Sequence, residues 1–210
     1  MDLFSHAWSA LRATVAALAD EDFLQPSGCA GWLVRDLACH LIIDAQDVLI
    51  TLATPADGTP TADATTYWHV TNGPPAAEDP LSALTVRLAA AYEDMALLKF
   101  HLDDVGAAAA RAAKLADPTA RVTTRGQVLT VEDYLTAYVL EWTLHHLDLT
   151  AHLPTAPAPP PRPCPIPVRH WNGSRARRSP RPSRTRMCCW PGRGVRPRRR
   201  RRRPNSLPLR

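Results

Sequence analysis

The feature that most constrains this fold is an apolar helical stretch that carries ionisable residues at regular spacing. The apolar periodicity predicts one long helix from Val131 to His152, and within it Glu141 and His145 stand four residues apart. That spacing places the two side chains on one helix face, one turn from each other. Asp148 continues the same stripe. The fold must therefore give these charged groups partners or keep them in water.

Two interpretations of the Glu141/His145 pair stay open. A carboxylate and an imidazole on one face form two thirds of a His/Glu/His metal site, and His40 in a second predicted helix, Val34 to Ala53, is the candidate for the third ligand. The pair could also be an ordinary surface contact. Burial favours the metal site, because buried charges are rare unless paired or bound to a metal. The apolar neighbours that predict burial are Leu140, Trp142, Leu144, Leu147 and Leu149.

The charge of the chain is divided unevenly between two segments. Residues 1–153, here called the body, hold all 20 acidic residues against eight Lys and Arg, a net charge of −12. Residues 154–210, here called the tail, hold no acidic residue, 17 arginines and 14 of the 21 prolines. The body has two cysteines and no apolar run of membrane-spanning length, so we expect a cytoplasmic domain with no membrane partner.

The body has the pattern of an all-α four-helix bundle with one long crossover. Apolar residues at helical spacing predict a first helix from Met1 to Ala19 and a third from Leu81 to Asp104. The third helix counts Leu84, Leu88 and Leu97 among its apolar positions. An alternating segment, Arg121 to Thr130, predicts a short hairpin that turns near Gly126, just before the last helix. Such a bundle can hold metal ligands on facing helices.

The crossover from Thr54 to Pro80 is long enough to shape a binding site. Tyr67, Trp68 and His69 lie in its middle and are the pocket candidates. The alternative is that these bulky residues simply pin the crossover to the core.

Two segments carry a recognisable pattern. The first is Pro26–Leu41, with Gly31-Trp32-Leu33-Val34-Arg35-Asp36 before His40, and the second is Glu141-x-x-x-His145-x-x-Asp148. Together they resemble the mycothiol-dependent maleylpyruvate isomerase family. This is a branch of the DinB-like metal-binding bundles. The resemblance covers residues 1–153 and so only the N-terminal domain of the family. It implies a divalent metal, usually zinc, at the positions of His40, Glu141 and His145. It also implies mycothiol as the thiol cosubstrate.

In isomerases of this family a metal-activated thiolate adds to a double bond, the bond rotates, and the thiol leaves. Relatives use the same thiolate for S-transfer to an electrophile. Asp36 and Asp148 each stand one turn from a ligand position and are candidates to orient an imidazole through its far N–H. An ion pair or a helix-end contact is the alternative for both.

Three classes of function follow from these features. The first is a metal- and mycothiol-dependent isomerase or transferase acting on an electrophilic small molecule. The second is a non-catalytic metal-binding or sensor module. The third is a nucleic-acid binder that uses Arg198–Arg203, which would bind phosphate with a steep salt dependence. The acidic body offers no basic face and argues against the third.

The tail departs from the family, whose members often continue into a second domain. Arginine and proline in excess, without acids or periodicity, are typical of a GC-rich gene read out of frame. We therefore expect the tail to be frameshifted and disordered, and turnover to be impaired by the loss of a second domain.

Overall fold

Four long helices form the bundle predicted from the sequence, and the all-α DinB-like fold is confirmed. The computed structural model describes residues 3–68 and 80–153. α1 packs against α4 and α5, while α2 packs against α4, α5 and a shorter helix, α3. The helices are α1 (Leu3–Ala17), α2 (Val34–Leu52), α3 (Pro80–Ala90), α4 (Met95–Leu115) and α5 (Val131–Thr150), with a short 3-10 helix at Asp20–Leu24.

The last helix begins where the sequence predicts it, because its first residues satisfy the free backbone N–H groups. The Thr130 hydroxyl accepts a hydrogen bond from the backbone N–H of Asp133 at 3.1 Å and donates to the Asp133 carboxylate at 2.7 Å. Glu132 and Asp133 also place negative charge at the positive end of the helix dipole. α5 is therefore fixed in register where it leaves the hairpin.

The predicted hairpin is present as β1 (Arg121–Thr124) and β2 (Gln127–Thr130). The strands are antiparallel, and Thr124 pairs with Gln127 across a two-residue loop. Arg125 and Gly126 form that loop with φ angles of 52° and 75°. Two consecutive positive φ angles define the type I′ turn that suits the twist of a hairpin.

The first part of the crossover lies along this hairpin. The Ala56 N–H donates to the carbonyl of Arg121 at 2.9 Å, and the Thr61 N–H donates to the carbonyl of Val128 at 2.8 Å. The crossover then reaches α5, where Tyr67 packs edge-on against Tyr134. His69 lies outside the described residues.

The predicted single helix from Leu81 to Asp104 is wrong, because the chain breaks between α3 and α4. The Asp94 carboxylate accepts a hydrogen bond from the Ala96 N–H at 2.8 Å and starts a new helix there. Leu84, Leu88 and Leu97, which are apolar positions of that predicted helix, are 45%, 43% and 54% exposed. The amphipathic spacing runs through the break, so periodicity alone did not reveal it.

The core is centred on aromatic rings that pack against one another between α1 and α5. Trp8 and Trp142 are fully buried, with ring centroids 4.2 Å apart. α4 approaches them so closely that a Cβ on Gly106 would lie 2.1 Å from the Trp8 ring. Within the two described stretches, no helix combines the length and the apolar character needed to span a membrane.

Candidate metal centre

Four ionisable side chains converge where α2 faces α5. His40 and Asp44 come from α2, and Glu141 and His145 come from α5. One potential ligand atom from each residue lies within 4.8 Å of the others. Each helix contributes residues four apart, so each places its two groups on the face that meets the other helix.

The closest contact inside the cluster joins Glu141 to His145. The Glu141 Oε1 atom lies 3.0 Å from the His145 Nε2 atom. On the other helix, the Asp44 Oδ2 atom lies 3.6 Å from the His40 Nε2 atom. The two imidazole rings stand almost perpendicular, with centroids 5.0 Å apart. The nitrogen and oxygen atoms therefore point toward a common centre.

The cluster is buried but opens on the side of His40. The side chains of His145 and Asp44 are 3% and 5% exposed, whereas that of His40 is 19% exposed. Trp32 packs against His40 with ring centroids 5.2 Å apart, and its Nε1–H donates to the Ser82 hydroxyl at 2.9 Å. A small molecule would therefore reach the cluster past His40.

Burial and mutual attraction set the charges of this cluster. Burial, helped by the Glu141 carboxylate, raises the pKa of Asp44 to about 8. Burial and the neighbouring His145 cation lower the pKa of His40 to about 3. Burial opposes the ionisation of His145 and Glu141, but their mutual attraction outweighs it, raising the pKa of His145 and lowering that of Glu141. At neutral pH the cluster thus holds a His145/Glu141 ion pair with neutral His40 and Asp44.

The chemistry of these groups fits a divalent metal ion. Neither ring nitrogen of His145 nor the Oδ2 atom of Asp44 has a well-formed hydrogen bond among the described residues, although all three atoms are buried. Buried polar atoms without such bonds destabilise a fold unless something else satisfies them. Two imidazole nitrogens and one or two carboxylate oxygens are ligands that zinc and similar ions accept.

Asp148 stands on the far side of the His145 ring. Its Oδ2 atom lies 3.8 Å from His145 Nδ1, on the side away from Glu141. The turn before α2 holds this carboxylate: the Gly28 N–H donates to the backbone carbonyl of Asp148 at 2.7 Å, and the Cys29 thiol donates to its carboxylate at 3.5 Å. Asp148 is thus placed where it could orient the imidazole.

Asp36 and His146 make contacts that stabilise the fold. The Asp36 carboxylate accepts a hydrogen bond from the Leu33 N–H at 2.8 Å and so makes the helix-end contact that was the alternative for it. His146 is as buried as His145, but its Nε2 atom lies 2.9 Å from the Thr14 hydroxyl on α1. It therefore belongs to the packing between α1 and α5.

Tyr67 and Trp68 pack against α5 next to the cluster. Tyr67 is 3% exposed, and the Trp68 indole N–H donates to the carbonyl of Ala137 at 3.0 Å. Trp68 also meets the Tyr138 ring edge-on at 5.6 Å. These contacts pin the crossover to the bundle one turn from Glu141.

Two residues near the site were missed by the reasoning from sequence. Asp44 lies one turn after His40 on the same helical stripe, but it was assigned no role because this spacing does not distinguish a metal ligand from an ordinary helical ion pair. Arg125 occupies the hairpin turn, and its guanidinium reaches Asp47 on α2 at 3.3 Å. Only the folding of the hairpin against the bundle brings this cation close to the site, so the sequence carried no signal for it.

The fold and the cluster define a class: a DinB-like four-helix bundle with a potential metal site between facing helices. The family model described as "Mycothiol maleylpyruvate isomerase N-terminal domain" matches residues 4–150. The chain therefore belongs to this family, and the resemblance inferred from its motifs is confirmed. No curated protein and no solved structure gives a significant match.

Proposed function

We propose that this protein binds a divalent metal ion, zinc in the first instance, through His40, Glu141 and His145. We further propose that it uses mycothiol either to isomerise an electrophilic small molecule or to transfer the thiol sulfur to it. The observation that carries the proposal is the convergence of two imidazoles and two carboxylates, whose potential ligand atoms lie within 4.8 Å of one another in a largely buried cluster. Membership in a family named for a mycothiol-dependent isomerase supports the choice of thiol.

Each side chain would have a distinct part in this site. Glu141 holds His145 through a 3.0 Å contact and would supply negative charge to the ion. Asp148 would fix the His145 ring from its Nδ1 side. His40 stands at the open edge, where a thiol would enter. When bound, a divalent ion favours the thiolate form of a thiol beside it.

The proposed chemistry begins with attack of the thiolate sulfur on an activated carbon–carbon double bond. A carbon–sulfur bond forms, and the π electrons move onto the conjugated carbonyl oxygen. In isomerisation the resulting single bond rotates, the electrons return, and the carbon–sulfur bond breaks to release the thiolate. In transfer to a halide-bearing electrophile the carbon–sulfur bond is retained and halide departs.

A second candidate function is a metal-binding module without catalysis, and Asp44 is the observation that favours it. With Asp44 included, four protein groups surround the centre. Zinc in structural sites is four-coordinate with protein ligands only, whereas catalytic sites keep one position for water or substrate. The two functions therefore differ in whether Asp44 occupies the fourth position.

Thiol consumption by the purified full chain separates these functions. We expect stoichiometric metal by elemental mass spectrometry, and conjugation of mycothiol to monochlorobimane above the protein-free rate. Removing the metal with a chelator should abolish that rate, and zinc should restore it. Asp44→Asn should retain turnover if Asp44 lies outside the coordination sphere. Stoichiometric metal without thiol-dependent turnover would instead support the non-catalytic module.

We also propose that the domain boundary lies after Leu153 and that the tail, which lies outside the described residues, arises from a shifted reading frame. The support is the change in composition at that point. Sequencing the source DNA tests this proposal. A downstream frame that encodes an ordinary acidic and apolar domain is the expected result, and its absence would contradict the frameshift.

A further inference from the structure

A second group of potential metal ligands lies on the far side of the His145 ring. Cys29 comes from the turn before α2, while His145 and Asp148 belong to α5. One potential ligand atom from each of the three residues lies within 4.8 Å of the other two. Glu141 faces the Nε2 atom of His145, whereas Asp148 faces its Nδ1 atom. This second group therefore shares one imidazole with the candidate metal centre but lies beside the other ring nitrogen.

The turn before α2 holds the Cys29 thiol at this place. The Ser27 hydroxyl accepts a hydrogen bond from the Cys29 N–H at 3.2 Å and donates one to the Trp32 carbonyl at 2.9 Å. Gly28 allows the close approach to α5, because a Cβ on it would overlap the Asp148 side chain and lie 2.8 Å from the Asp148 Cα atom. The thiol is thus positioned by contacts of the turn itself, independently of any ligand.

The separations inside this group are close to those of ligand atoms around one ion. The Cys29 Sγ atom lies 3.5 Å from the Asp148 Oδ2 atom, and the same oxygen lies 3.8 Å from the His145 Nδ1 atom. Bonds of about 2.0–2.3 Å to a tetrahedral ion hold its ligand atoms roughly 3.3–3.7 Å apart. Small adjustments of these three side chains would therefore bring all of them to one ion.

The ligand types of this group select a thiophilic divalent ion. A thiolate, an imidazole and a carboxylate are ligands of zinc and similar ions, whereas magnesium and calcium prefer oxygen ligands alone. The Asp148 side chain is 22% exposed and that of His145 is 3% exposed, so an ion would enter past Asp148. Binding would displace the proton of the Cys29 thiol and any proton on His145 Nδ1 to solvent.

From this geometry we infer that Cys29, Asp148 and the Nδ1 atom of His145 form a second binding position for a thiophilic divalent cation. The inference goes beyond the proposed function, which needs a single ion on the Nε2 side of the ring. The Cys29 thiol already donates its proton to the Asp148 carboxylate, so an ion must displace that proton to bind. The second position therefore fills when metal is in excess and empties on dialysis.

Cobalt(II) is the probe for this position, because a cobalt–thiolate bond gives a charge-transfer band in the near ultraviolet that nitrogen and oxygen ligands do not give. The titration uses the metal-free full chain with Cys164, Cys188 and Cys189 of the tail replaced by serine, so that only the thiols of the body remain. We expect cobalt to produce the thiolate band. Its absence with cobalt in large excess would overturn the inference.

Cys29→Ser should abolish the band, and Cys39→Ser is its matched control. The serine hydroxyl can still donate a hydrogen bond to Asp148, so the variant removes the soft ligand and keeps the structural contact. Cys39 is also buried, but within residues 3–68 and 80–153 it belongs to no group of potential metal ligands. Its replacement should leave the band unchanged. A band that persists in Cys29→Ser would contradict the second position.

Asp148→Asn tests the carboxylate while the thiol stays in place. Loss of a residue that only supports a ligand weakens metal binding about 10- to 100-fold, so loss of a ligand should weaken cobalt binding, measured by the thiolate band, at least about tenfold. Glu132→Gln, at the exposed start of α5, should bind cobalt like the parent. Parent affinity in Asp148→Asn would contradict a position that uses this carboxylate.

Glu141→Ala keeps this inference apart from the proposed function. The variant loses a ligand on the Nε2 side of His145 but retains Cys29, Asp148 and the Nδ1 atom. The cobalt–thiolate band should therefore persist in it. If the parent shows the band but no thiol-dependent turnover, the proposed catalysis fails and the second position stands. If turnover requires metal and no band forms, the second position fails and the proposed catalysis stands.

Discussion

The two faces of α5 are buried to a similar depth but are built from different chemistry. One face carries Glu141 and His145 toward α2, and the other carries Trp142 and His146 toward α1. His145 and His146 are both 3% exposed. His146 meets the Thr14 hydroxyl, whereas both ring nitrogens of His145 lack a well-formed hydrogen bond among the described residues.

Burial alone therefore does not distinguish a structural histidine from a candidate ligand. The difference lies in what surrounds each ring: a hydroxyl beside His146, and a carboxylate and a second imidazole beside His145. On the α1 face, the His146 ring is surrounded by packed side chains and contacts the Thr14 hydroxyl. On the α2 face, two carboxylates and a second imidazole leave buried polar atoms that a metal ion would satisfy.

The largest effect should come from the packing face. Trp142→Ala removes a fully buried indole that packs at a tilt against the rings of Trp8 and Phe4. We expect the free energy of unfolding to fall by about 3–5 kcal/mol in urea titrations of the metal-free protein.

Leu147→Ala is the control for that measurement on the same helix. Leu147 is 49% exposed, so its truncation should change the free energy of unfolding by less than about 0.5 kcal/mol. Equal losses for the two variants would mean that the α1 face is not the main source of stability in α5.

The second effect concerns pH and belongs to the α2 face. In the metal-free cluster the pKa of Asp44 is raised to about 8 and that of His145 is raised above its ordinary value, so both hold protons at pH 6–7. Metal binding must displace one or both protons. Zinc affinity, measured by chelator competition, should therefore rise about 10- to 100-fold per pH unit between pH 6 and 7. Affinity independent of pH across this range would contradict the charge assignment.

Asp148→Asn tests the edge of the α2 face. The substitution removes the charge beside His145 Nδ1 and keeps the size of the side chain. Changes of this kind typically weaken a metal about 10- to 100-fold, and we expect a loss in that range by chelator competition. Glu132→Gln, at the exposed start of α5, should leave the zinc affinity unchanged. If both variants bind zinc like the parent, Asp148 does not orient the imidazole.

The smallest effect should come from Thr14→Val on the α1 face. This change removes the hydroxyl that meets His146 at 2.9 Å while preserving the shape of the side chain. We expect a loss of about 1 kcal/mol in the free energy of unfolding, since the buried hydrogen bond to His146 disappears. The bond from the hydroxyl to the Ala10 carbonyl in the preceding turn is also lost but adds little. Metal content should not change. A loss of metal would show that the two faces are coupled.

Local signals in the sequence were enough for most of the fold. The boundaries of α2 and α5, the Thr130 cap and the hairpin near Gly126 all depend on residues close together in the chain. The break before α4 was missed because Asp94 lies inside an unbroken apolar rhythm. There, one capping side chain outweighed periodicity.

The candidate site was predictable only where its residues share a helix or a recognisable motif. Glu141 and His145 follow from spacing, and His40 follows from the motif around Trp32. Asp44 has the spacing of a common helical ion pair, and its importance appears only when α5 brings Glu141 beside it. Arg125 depends on a turn folding over a distant helix, which no local pattern encodes.

Metal content of paired α5 variants tests the central claim most directly. Glu141→Ala changes the face toward α2, and His146→Asn changes the neighbouring face toward α1. Elemental mass spectrometry of the full chain, purified with zinc and dialysed, should find stoichiometric zinc in the parent and in His146→Asn. Glu141→Ala should have lost it while retaining its helical circular dichroism. Stoichiometric zinc in Glu141→Ala would contradict the proposed ligand set of His40, Glu141 and His145.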